Sequence, residues 1–308
     1  MSIFIRHTVK DLQAYVKLVA KLNDDEDGYA WFRGHSNASY RLTPSVLRNV
    51  TPLSDARGNA LKGDEILRAD GFSVTGPNPE RMLDEFKRRA VPFLNFEPKN
   101  DFEWLFLMQH HGIPTRLLDW TTNALVALYF SVEHLSSKNT KCSKDAASKF
   151  LEGDEFRDDG MAVFCINPNK VNNELHSLQY PVDVSANAEI WAPYTRPTSP
   201  SNLDTFAPLC ILAPHISPRI RAQSGIFTLH GSNIWPLDRY SVLQPLIHKI
   251  FIPYSSTKSI KKDLSNLGFT SSFIYPDLDG LAREIRDQEL GRYATDRKHY
   301  LAKFKSGV

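Results

Sequence analysis

Residues 124–132 read ALVALYFSV and leave a helix almost no polar side. A helix that is apolar around its whole circumference is stable only where other elements cover it on every side. The segment therefore predicts a central buried helix, capped by one of the polar residues at 121–123. The N-terminus of this helix is then also expected to lie deep in the protein. With 42% apolar residues among 308, the chain has enough material for such a core.

Capping and terminating residues delimit two earlier helices. Asn78 and Pro79 are the N-cap and first-turn residues of a helix predicted to run through Ala90. Asp101 is expected to cap the next helix, FEWLFLMQHH. That helix should end at Gly112, because glycine readily adopts the left-handed conformation that follows a helix.

The remaining elements mix helix and strand without a regular repeat. An amphipathic helix is predicted at residues 9–22, and YAWFRGHS is predicted to be a strand that ends in a glycine bend. Strands scattered among helices favour an α+β fold, with one mixed domain around the central helix. The later strands are GMAVFCIN, PLCILA and SGIFTLHG, and a C-terminal strand, helix, strand and helix follow at KIFIP, STKSIKKDLSNLG, SSFIYP and DLDGLAREIRDQEL.

Polar groups are dense in residues 109–120, QHHGIPTRLLDW, just before the central helix. On a structural interpretation, Arg116 pairs with Asp119 inside the loop, since a buried charge needs a partner, and the histidines cap the preceding helix. On a functional interpretation, Arg116, Arg33 and the N-terminus of the central helix form a pocket for a phosphate. Gly34 would then let a ligand approach the backbone closely. The residues alone leave both interpretations open.

Two other kinds of site have less support. His110, His111 and Asp119 could be metal ligands, but consecutive helical residues point about 100° apart, so no metal site is predicted. No GxSxG or Cys–His pattern indicates a nucleophile. Gln223, before the strand SGIFTLHG, is either a turn residue bonded to the backbone or a pocket residue with its amide facing the ligand.

Charge and cysteine content exclude several classes of protein. A net charge of +2 gives no strong general attraction to nucleic acid. Cys142, Cys165 and Cys210 lie far apart and form no CxxC pair, so they predict neither a disulfide framework nor a zinc site. No apolar stretch is long enough for a signal peptide or a bilayer span. We therefore expect a soluble cytoplasmic protein without a membrane partner.

Several of these segments together resemble the FRG domain family, which is named for an aromatic-Arg-Gly motif. The resemblance extends from about residue 29 to 285, and His35 stands where many members carry glutamine. Members are found in bacteria and phages, some near defence systems, so the resemblance implies an effector role in bacterial or phage conflict. The matching segments are WFRG at 31–34, QHHGIPTRLLDWT at 109–121, ALYF at 127–130, QSGIF at 223–227 and YPDLDGL at 275–281.

A more distant likeness is to arginine-type ADP-ribosyltransferases, which share the order of an aromatic-Arg-Gly strand, a Ser/Thr turn and a later strand with Glu or Gln. It implies that Arg33 holds a phosphate or ribose of NAD, that Thr121 or Thr122 replaces a serine, and that Gln223 stands at the catalytic glutamate position. The chain departs from that pattern, because a neutral amide cannot offset the positive charge of an oxocarbenium-like state. Asp119 would have to supply that charge.

The sequence thus predicts a protein that binds an anionic nucleotide-like ligand, with NAD as the candidate cofactor of a transferase or glycohydrolase. A noncatalytic nucleotide-sensing or protein-interaction module is the alternative, and a nuclease or phosphodiesterase built on the histidines ranks last. Predicted catalytic residues are His110, Asp119 and Gln223, and predicted ligand-binding residues are Arg33, Gly34, His35, Gln109, His111, Thr115, Arg116 and Thr121.

Three regions are expected along the chain. Residues 1–28 would form an N-terminal helix, residues 29–285 the FRG domain, and residues 286–308 a helical tail. Polar insertions are expected within the domain near residues 51–79 and 136–159. The resemblance to ADP-ribosyltransferases extends to the expected fold, with a C-terminal β-α-β-α segment added.

Overall fold

An eight-stranded mixed sheet organises the computed structural model, which describes residues 4–26, 28–49, 51–52, 74–94, 96–135, 143–197, 201–214 and 217–306. The strands are β1 (Ile5–Thr8), β2 (Trp31–His35), β3 (Thr51–Pro52), β4 (Val74–Thr75), β5 (Leu117–Thr121), β6 (Gly160–Ile166), β7 (Val182–Asp183), β8 (Leu209–Leu212), β9 (Gly225–Leu229) and β10 (His248–Pro253). Strands β3 and β4 form a separate two-stranded sheet among the described residues.

Helices of very different length surround the sheet. The α-helices are α1 (Leu12–Asp25), α2 (Pro79–Ala90), α3 (Asp101–His110), α4 (Ala124–Val132), α5 (Ala146–Glu152), α6 (Pro168–His176), α7 (Ala188–Trp191), α8 (Pro218–Ala222), α9 (Thr257–Asn266), α10 (Ser271–Ile274) and α11 (Leu278–Ser306). Short 3-10 helices occur at Ser45–Asn49, Val91–Phe93, Ala192–Thr195, Leu237–Arg239, Gln244–Leu246 and Tyr254–Ser256. The fold is a single mixed α+β domain, as the sequence predicts.

The sheet opens near its middle. Its strand order is β1-β10-β6-β2-β5-β9-β8-β7, with the two end pairs parallel and the inner pairs antiparallel. Strand β2 pairs with β6 from Trp31 to His35, and β5 pairs with β9 from Leu117 to Thr121. Between β2 and β5 the register contains the single pair Phe32–Thr121. Beyond that pair the two strands separate.

The glycine of the aromatic-Arg-Gly motif lies under the central helix α4. A Cβ at Gly34 would lie 1.9 Å from the Ala127 carbonyl oxygen and 2.8 Å from the Ser131 amide nitrogen. Gly34 is therefore required for helix packing. Its expected part in letting a ligand approach the backbone stays a prediction. The strand also continues past it to His35 and does not end at the glycine.

The central helix is buried along most of its length but not at its start. Val126, Ala127 and Leu128 are fully buried, whereas Thr122 is exposed and Asn123 is half-buried. Asn123 is the N-cap, and its Oδ1 accepts hydrogen bonds from the first amides of the helix at 3.0 and 3.3 Å. The prediction of a deeply buried N-terminus is wrong, because the chain turns at the end of β5 where the core ends.

Local capping follows the sequence with one shift. Asn78 caps α2 as predicted, and its Oδ1 accepts from the Arg81 amide at 2.9 Å. Helix α3 is capped by Asn100, one residue before the predicted cap Asp101, because the Asn100 Oδ1 reaches the Glu103 amide. The chain leaves α3 through Gly112, whose φ is +78°, as predicted.

Four segments differ from the sequence-based expectation. The predicted strand SSFIYP is the short helix α10, because β10 is already flanked by β1 and β6 and offers no free edge. Strand β1 was not predicted, and the amphipathic helix begins at Leu12 instead of residue 9. Helix α5, which lies in the predicted polar insertion 136–159, buries Phe150 completely. Residues 53–73 and 136–142 of the two predicted insertions lie outside the described residues.

Alternate residues of the central strands point into different parts of the core. In β5, Leu118 and Trp120 join the hydrophobic cluster that contains Phe164, while Leu117 joins the cluster around α3. Within the described ranges, no helix is long and apolar enough to cross a membrane. Cys165 and Cys210 are buried free thiols, and Cys142 is outside the described residues.

Candidate functional site

A cavity of about 270 Å³ lies where β2 and β5 separate. Two strands that leave each other after one pair cannot complete their hydrogen-bond ladder, so side chains from both strands and from three helices border the gap. The lining residues are Phe32, Arg33, Gly34, Phe106, Gln109, His110, Asp119, Trp120, Thr121, Phe130, Arg219, Ile220, Gln223, Gly225 and Phe227.

Arg33 bridges the gap between the two strands. Its Nη1 donates to the Asp119 carbonyl oxygen at 2.6 Å and lies 3.6 Å from Asp119 Oδ2, while its Nε donates to His35 Nε2 at 2.9 Å. The guanidinium thus satisfies a strand carbonyl in the gap. Burial lowers the pKa of Arg33 to about 10, partly offset by Asp119 and reinforced by Arg48, so it remains a cation at neutral pH.

Asp119 is held by a short chain of side-chain hydrogen bonds. Gln109 Nε2 donates to Asp119 Oδ2 at 2.9 Å, and Thr115 Oγ1 donates to Gln109 Oε1 at 2.6 Å. The Thr115 oxygen also accepts from the Leu117 amide at 3.0 Å. Because the Asp119 side chain is 54% exposed, its carboxylate is both oriented and accessible. Thr115 is fully buried behind this arrangement and does not line the cavity.

His110 presents an uncommitted imidazole to the cavity. Its Nδ1 is buried and has no hydrogen-bond partner within the described residues. Burial lowers the pKa of His110, with smaller contributions from His111 and Arg219 and an opposing one from Asp277. The ring is therefore neutral at pH 7. His111 is exposed, packs edge-to-face on His110 at 4.8 Å and does not line the cavity.

Arg219 is the second cation of the cavity, and it was not among the predicted site residues. Its guanidinium lies over the Tyr275 ring at 4.6 Å, and Arg283 lies over the same ring at 4.3 Å. Within the described residues, Arg219 forms no hydrogen bond or ion pair through its side chain. The spacing of four residues from Gln223 places both on one face of a helical turn, which is the signal that could have identified it.

Thr121 and Gln223 form hydrogen bonds with each other and with neighbouring backbone groups. The Thr121 hydroxyl donates to the Gln223 carbonyl oxygen at 2.6 Å and accepts from the Asn123 amide at 2.9 Å. Gln223 Nε2 donates to the Ile274 carbonyl oxygen at 3.1 Å. Of these two side chains, only Gln223 Oε1 has no hydrogen bond within the described part of the chain, so it is the atom that a ligand could reach.

Arg116 lies away from the cavity, contrary to the expected clamp with Arg33. It is 9% exposed, and its Nη1 donates to the Gly231 carbonyl oxygen at 2.5 Å. The expected Arg116–Asp119 ion pair does not form: Arg116 lies at a bend just before β5, and the Asp119 carboxylate bonds to Gln109 and lies near Arg33. His35 is also buried behind the cavity and does not line it.

The structure thus gathers seven of the eleven predicted site residues around one cavity, and Thr115, Arg116, His35 and His111 lie outside its lining. Among the residues that the structure describes, no group of three His, Cys, Asp or Glu side chains is placed to hold a metal ion. The aromatic walls at Phe106, Phe130 and Phe227 were not predicted, since apolar residues in a core helix or strand carry no sequence signal of a cavity.

Comparison with known proteins identifies one region of the chain. The family model of the FRG domain matches residues 28–140. That range contains β2, α3, β5 and α4, which supply most of the cavity lining, whereas Arg219 and Gln223 come from beyond it. No curated protein and no solved structure matches the chain significantly.

Proposed function

We propose that this chain, which contains an FRG domain, binds a small anionic, nucleotide-like ligand in the cavity between β2 and β5. The observation that carries the proposal is Arg219, a cavity-lining guanidinium without an ion pair in the described residues. A guanidinium held on an aromatic ring keeps its N–H donors free, and such a fork binds phosphate and carboxylate groups through paired hydrogen bonds.

The charges that line the cavity favour an anion. Arg33 and Arg219 are both cationic, and Asp119 is the sole carboxylate among the described lining residues. Arg33 donates hydrogen bonds to Asp119 and His35, whereas the Arg219 side chain donates none within the described residues. The imidazole of His110 adds a neutral donor or acceptor. We therefore assign the phosphate end of the ligand to Arg219 and His110.

Aromatic side chains favour a planar group at the other end of the ligand. The rings of Phe106 and Phe227 stack at 5.1 Å with an interplanar angle of 27°, and Phe130 also borders the cavity. Planar bases pack well against such rings, and apolar walls with a few convergent polar groups are typical of small-molecule sites. A ligand that carries both a phosphate and a planar base is a nucleotide.

The proposal is tested by native mass spectrometry of the purified chain with NAD, ADP, AMP and adenosine. We expect one-to-one complexes with the phosphate-bearing compounds and a much weaker signal with adenosine, because adenosine cannot use Arg219. Equal signals for AMP and adenosine, or no complex with any of the four, would count against an anionic nucleotide.

The affinity should depend on pH through His110. Because burial lowers its pKa, His110 is neutral above pH 7 and gains a proton only in more acidic solution. Protonation adds a positive charge beside Arg219, so the affinity for NAD, whose diphosphate does not titrate between pH 5 and 8, should rise as the pH falls. His110→Gln should bind equally at both ends of that range. Calorimetry at pH 5, 6, 7 and 8 checks this, and an unchanged pH dependence in His110→Gln would exclude the assignment.

A second candidate function, favoured by the position of Asp119, is chemistry on bound NAD. The nicotinamide would leave with the electron pair of its bond to ribose, and the positive charge that develops on the ribose would be offset by Asp119. Water or a protein nucleophile would then bond to that carbon and lose a proton. Arg33, Thr121 and Gln223 line the same cavity, in keeping with the distant likeness to ADP-ribosyltransferases.

Thr121 and Gln223 use their side-chain donors in hydrogen bonds within the protein, so these donors are not free to act on a substrate. This favours the alternative, a noncatalytic nucleotide sensor. The same mass-spectrometric incubation decides between the two with Asp119→Asn as the matched variant. An enzyme releases nicotinamide or gains an ADP-ribose adduct, and Asp119→Asn should reduce that product by at least about a hundredfold. A sensor binds NAD and releases nothing in either form. An enzyme and a sensor would each suit an effector in the cytoplasm of bacteria in conflict with phages.

A further inference from the structure

The loop that follows β9 contains a second group of polar side chains, distinct from the cavity. His230, Asn233, Trp235 and Tyr240 belong to this loop, and Arg116 lies beside it. Buried polar atoms in native proteins are nearly always hydrogen-bonded. Six buried atoms of this group have no partner in the described structure: Arg116 Nε, His230 Nδ1, His230 Nε2, Asn233 Nδ2, Trp235 Nε1 and Tyr240 OH.

Arg116 and His230 are neighbours at the ends of β5 and β9. The His230 amide donates to the Arg116 carbonyl oxygen at 3.0 Å, and Arg116 Nη1 donates to the carbonyl oxygen of Gly231, the next residue. Burial, followed by the Arg116 charge, lowers the pKa of His230 to about 3. His230 is thus neutral beside a buried guanidinium.

Asn233, Trp235 and Tyr240 lie next to one another in the same loop. Asn233 Oδ1 accepts from the Trp235 amide at 3.0 Å, which leaves the Asn233 Nδ2 donors free. The Trp235 and Tyr240 rings meet edge-to-face at 5.9 Å. Burial raises the pKa of Tyr240, and the Asn233 side-chain amide, which lies beside the hydroxyl, opposes this shift.

The backbone of the loop is held on both sides by contacts with distant segments. A Cβ at Gly231 would lie 1.5 Å from the Thr205 carbonyl oxygen, which shows how closely two backbone segments meet there. Farther along, the Leu237 amide donates to the Leu42 carbonyl oxygen at 2.9 Å, and Asp238 accepts from the Leu42 amide at 2.8 Å.

The charge of Arg116 is not balanced at short range. Arg116 is 9% exposed, and no carboxylate of the described residues forms an ion pair with it; Glu80 acts on its pKa from farther away. Burial lowers the pKa of Arg116 to about 10, which leaves it cationic at neutral pH. A buried cation without a close counter-ion is strongly unfavourable. Asp119, the partner expected from the sequence, bonds to Gln109 and lies near Arg33.

We propose that Arg116, Asn233, Trp235 and Tyr240 bind a small anion, separate from the ligand of the cavity. The free nitrogens of Arg116, Asn233 and Trp235 can only donate, so they need a partner that accepts several hydrogen bonds. Chloride or an inorganic oxyanion accepts from all of them and neutralises Arg116. A water molecule would satisfy two of them but would leave the charge of Arg116 without a counter-ion.

The test follows the indole N–H signals of the ¹⁵N-labelled chain by NMR during titration with sodium chloride or sodium phosphate. Sodium gluconate keeps the ionic strength constant, and Trp235→Phe assigns the Trp235 signal. Trp104 is the internal control, because it lies in α3 and lines neither this loop nor the cavity. We expect a saturable shift of the Trp235 signal with at least one anion and little change at Trp104. No shift, or equal unsaturated shifts of both signals, would overturn the proposal.

Two variants test the donors directly. Arg116→Met should weaken anion binding by more than about tenfold, and Tyr240→Phe, which removes one hydroxyl without changing the ring, by about tenfold. If Arg116→Met does not fold, Tyr240→Phe decides the matter. Arg219→Gln, at the cavity, should leave the Trp235 titration unchanged. Unchanged affinity in Tyr240→Phe, or loss of the shift in Arg219→Gln, would contradict a separate site.

Discussion

Replacing Gly34 with alanine is expected to lower the free energy of unfolding by about 3 kcal/mol or more. The added methyl group would lie 1.9 Å from the Ala127 carbonyl oxygen, which is backbone and cannot move aside as a side chain can. Either α4 must lift off β2 or the strand must shift, and both changes disturb the cavity wall. Urea unfolding followed by circular dichroism measures the loss.

Gly291→Ala is the matched control for that substitution. A Cβ at Gly291, in the long C-terminal helix α11, would meet nothing within 4 Å. Alanine favours helix over glycine, so this variant should equal the wild type or exceed it by up to about 1 kcal/mol. If Gly34→Ala were as stable as Gly291→Ala, α4 could not lie against β2 as described.

Replacing Arg219 with glutamine is expected to weaken nucleotide binding by about 10- to 100-fold. The side chain is the cation we assign to the phosphate, and its loss leaves no protein hydrogen bond broken within the described residues. Stability should fall by less than about 1 kcal/mol, the contribution of its contact with Tyr275. Affinity by calorimetry and melting temperature by scanning calorimetry separate the two effects.

Arg221→Gln is the matched control, since Arg221 lies on the same short helix, is exposed and does not line the cavity. It should bind as the wild type does. Equal losses in Arg219→Gln and Arg221→Gln would indicate a general effect of surface charge. Unchanged binding in both would mean that the phosphate lies elsewhere.

Local signals predicted much of the fold. The apolar circumference of α4 predicted its buried position, and the sequences around Asn78 and Gly112 predicted where helices begin and end, because capping depends on residues close in sequence. The short apolar runs at β6, β8, β9 and β10 also predicted these four strands. The short edge strand β1 and the helix α10 depend on which sheet edges are free, and that is decided by pairing between distant residues.

The site was predicted less completely, for reasons that individual residues make clear. Arg33, His110 and Asp119 line one cavity, but Arg116 does not, because its guanidinium bonds to the Gly231 carbonyl oxygen in the loop after β9. The packing of α4 on β2 explains why residue 34 is a glycine, and Gly34 also lines the cavity. Arg219 is far from the motif in sequence and enters the cavity only through the pairing of β9 with β5.

The most direct test of the proposed function is a calorimetric comparison of AMP with adenosine on the wild-type chain. The two compounds share base and ribose and differ in one phosphate, the group assigned to Arg219. We predict saturable binding of AMP with one site per chain and an affinity at least about tenfold higher than that of adenosine. Equal affinities, or no binding of AMP at millimolar concentration, would contradict an anion-binding cavity.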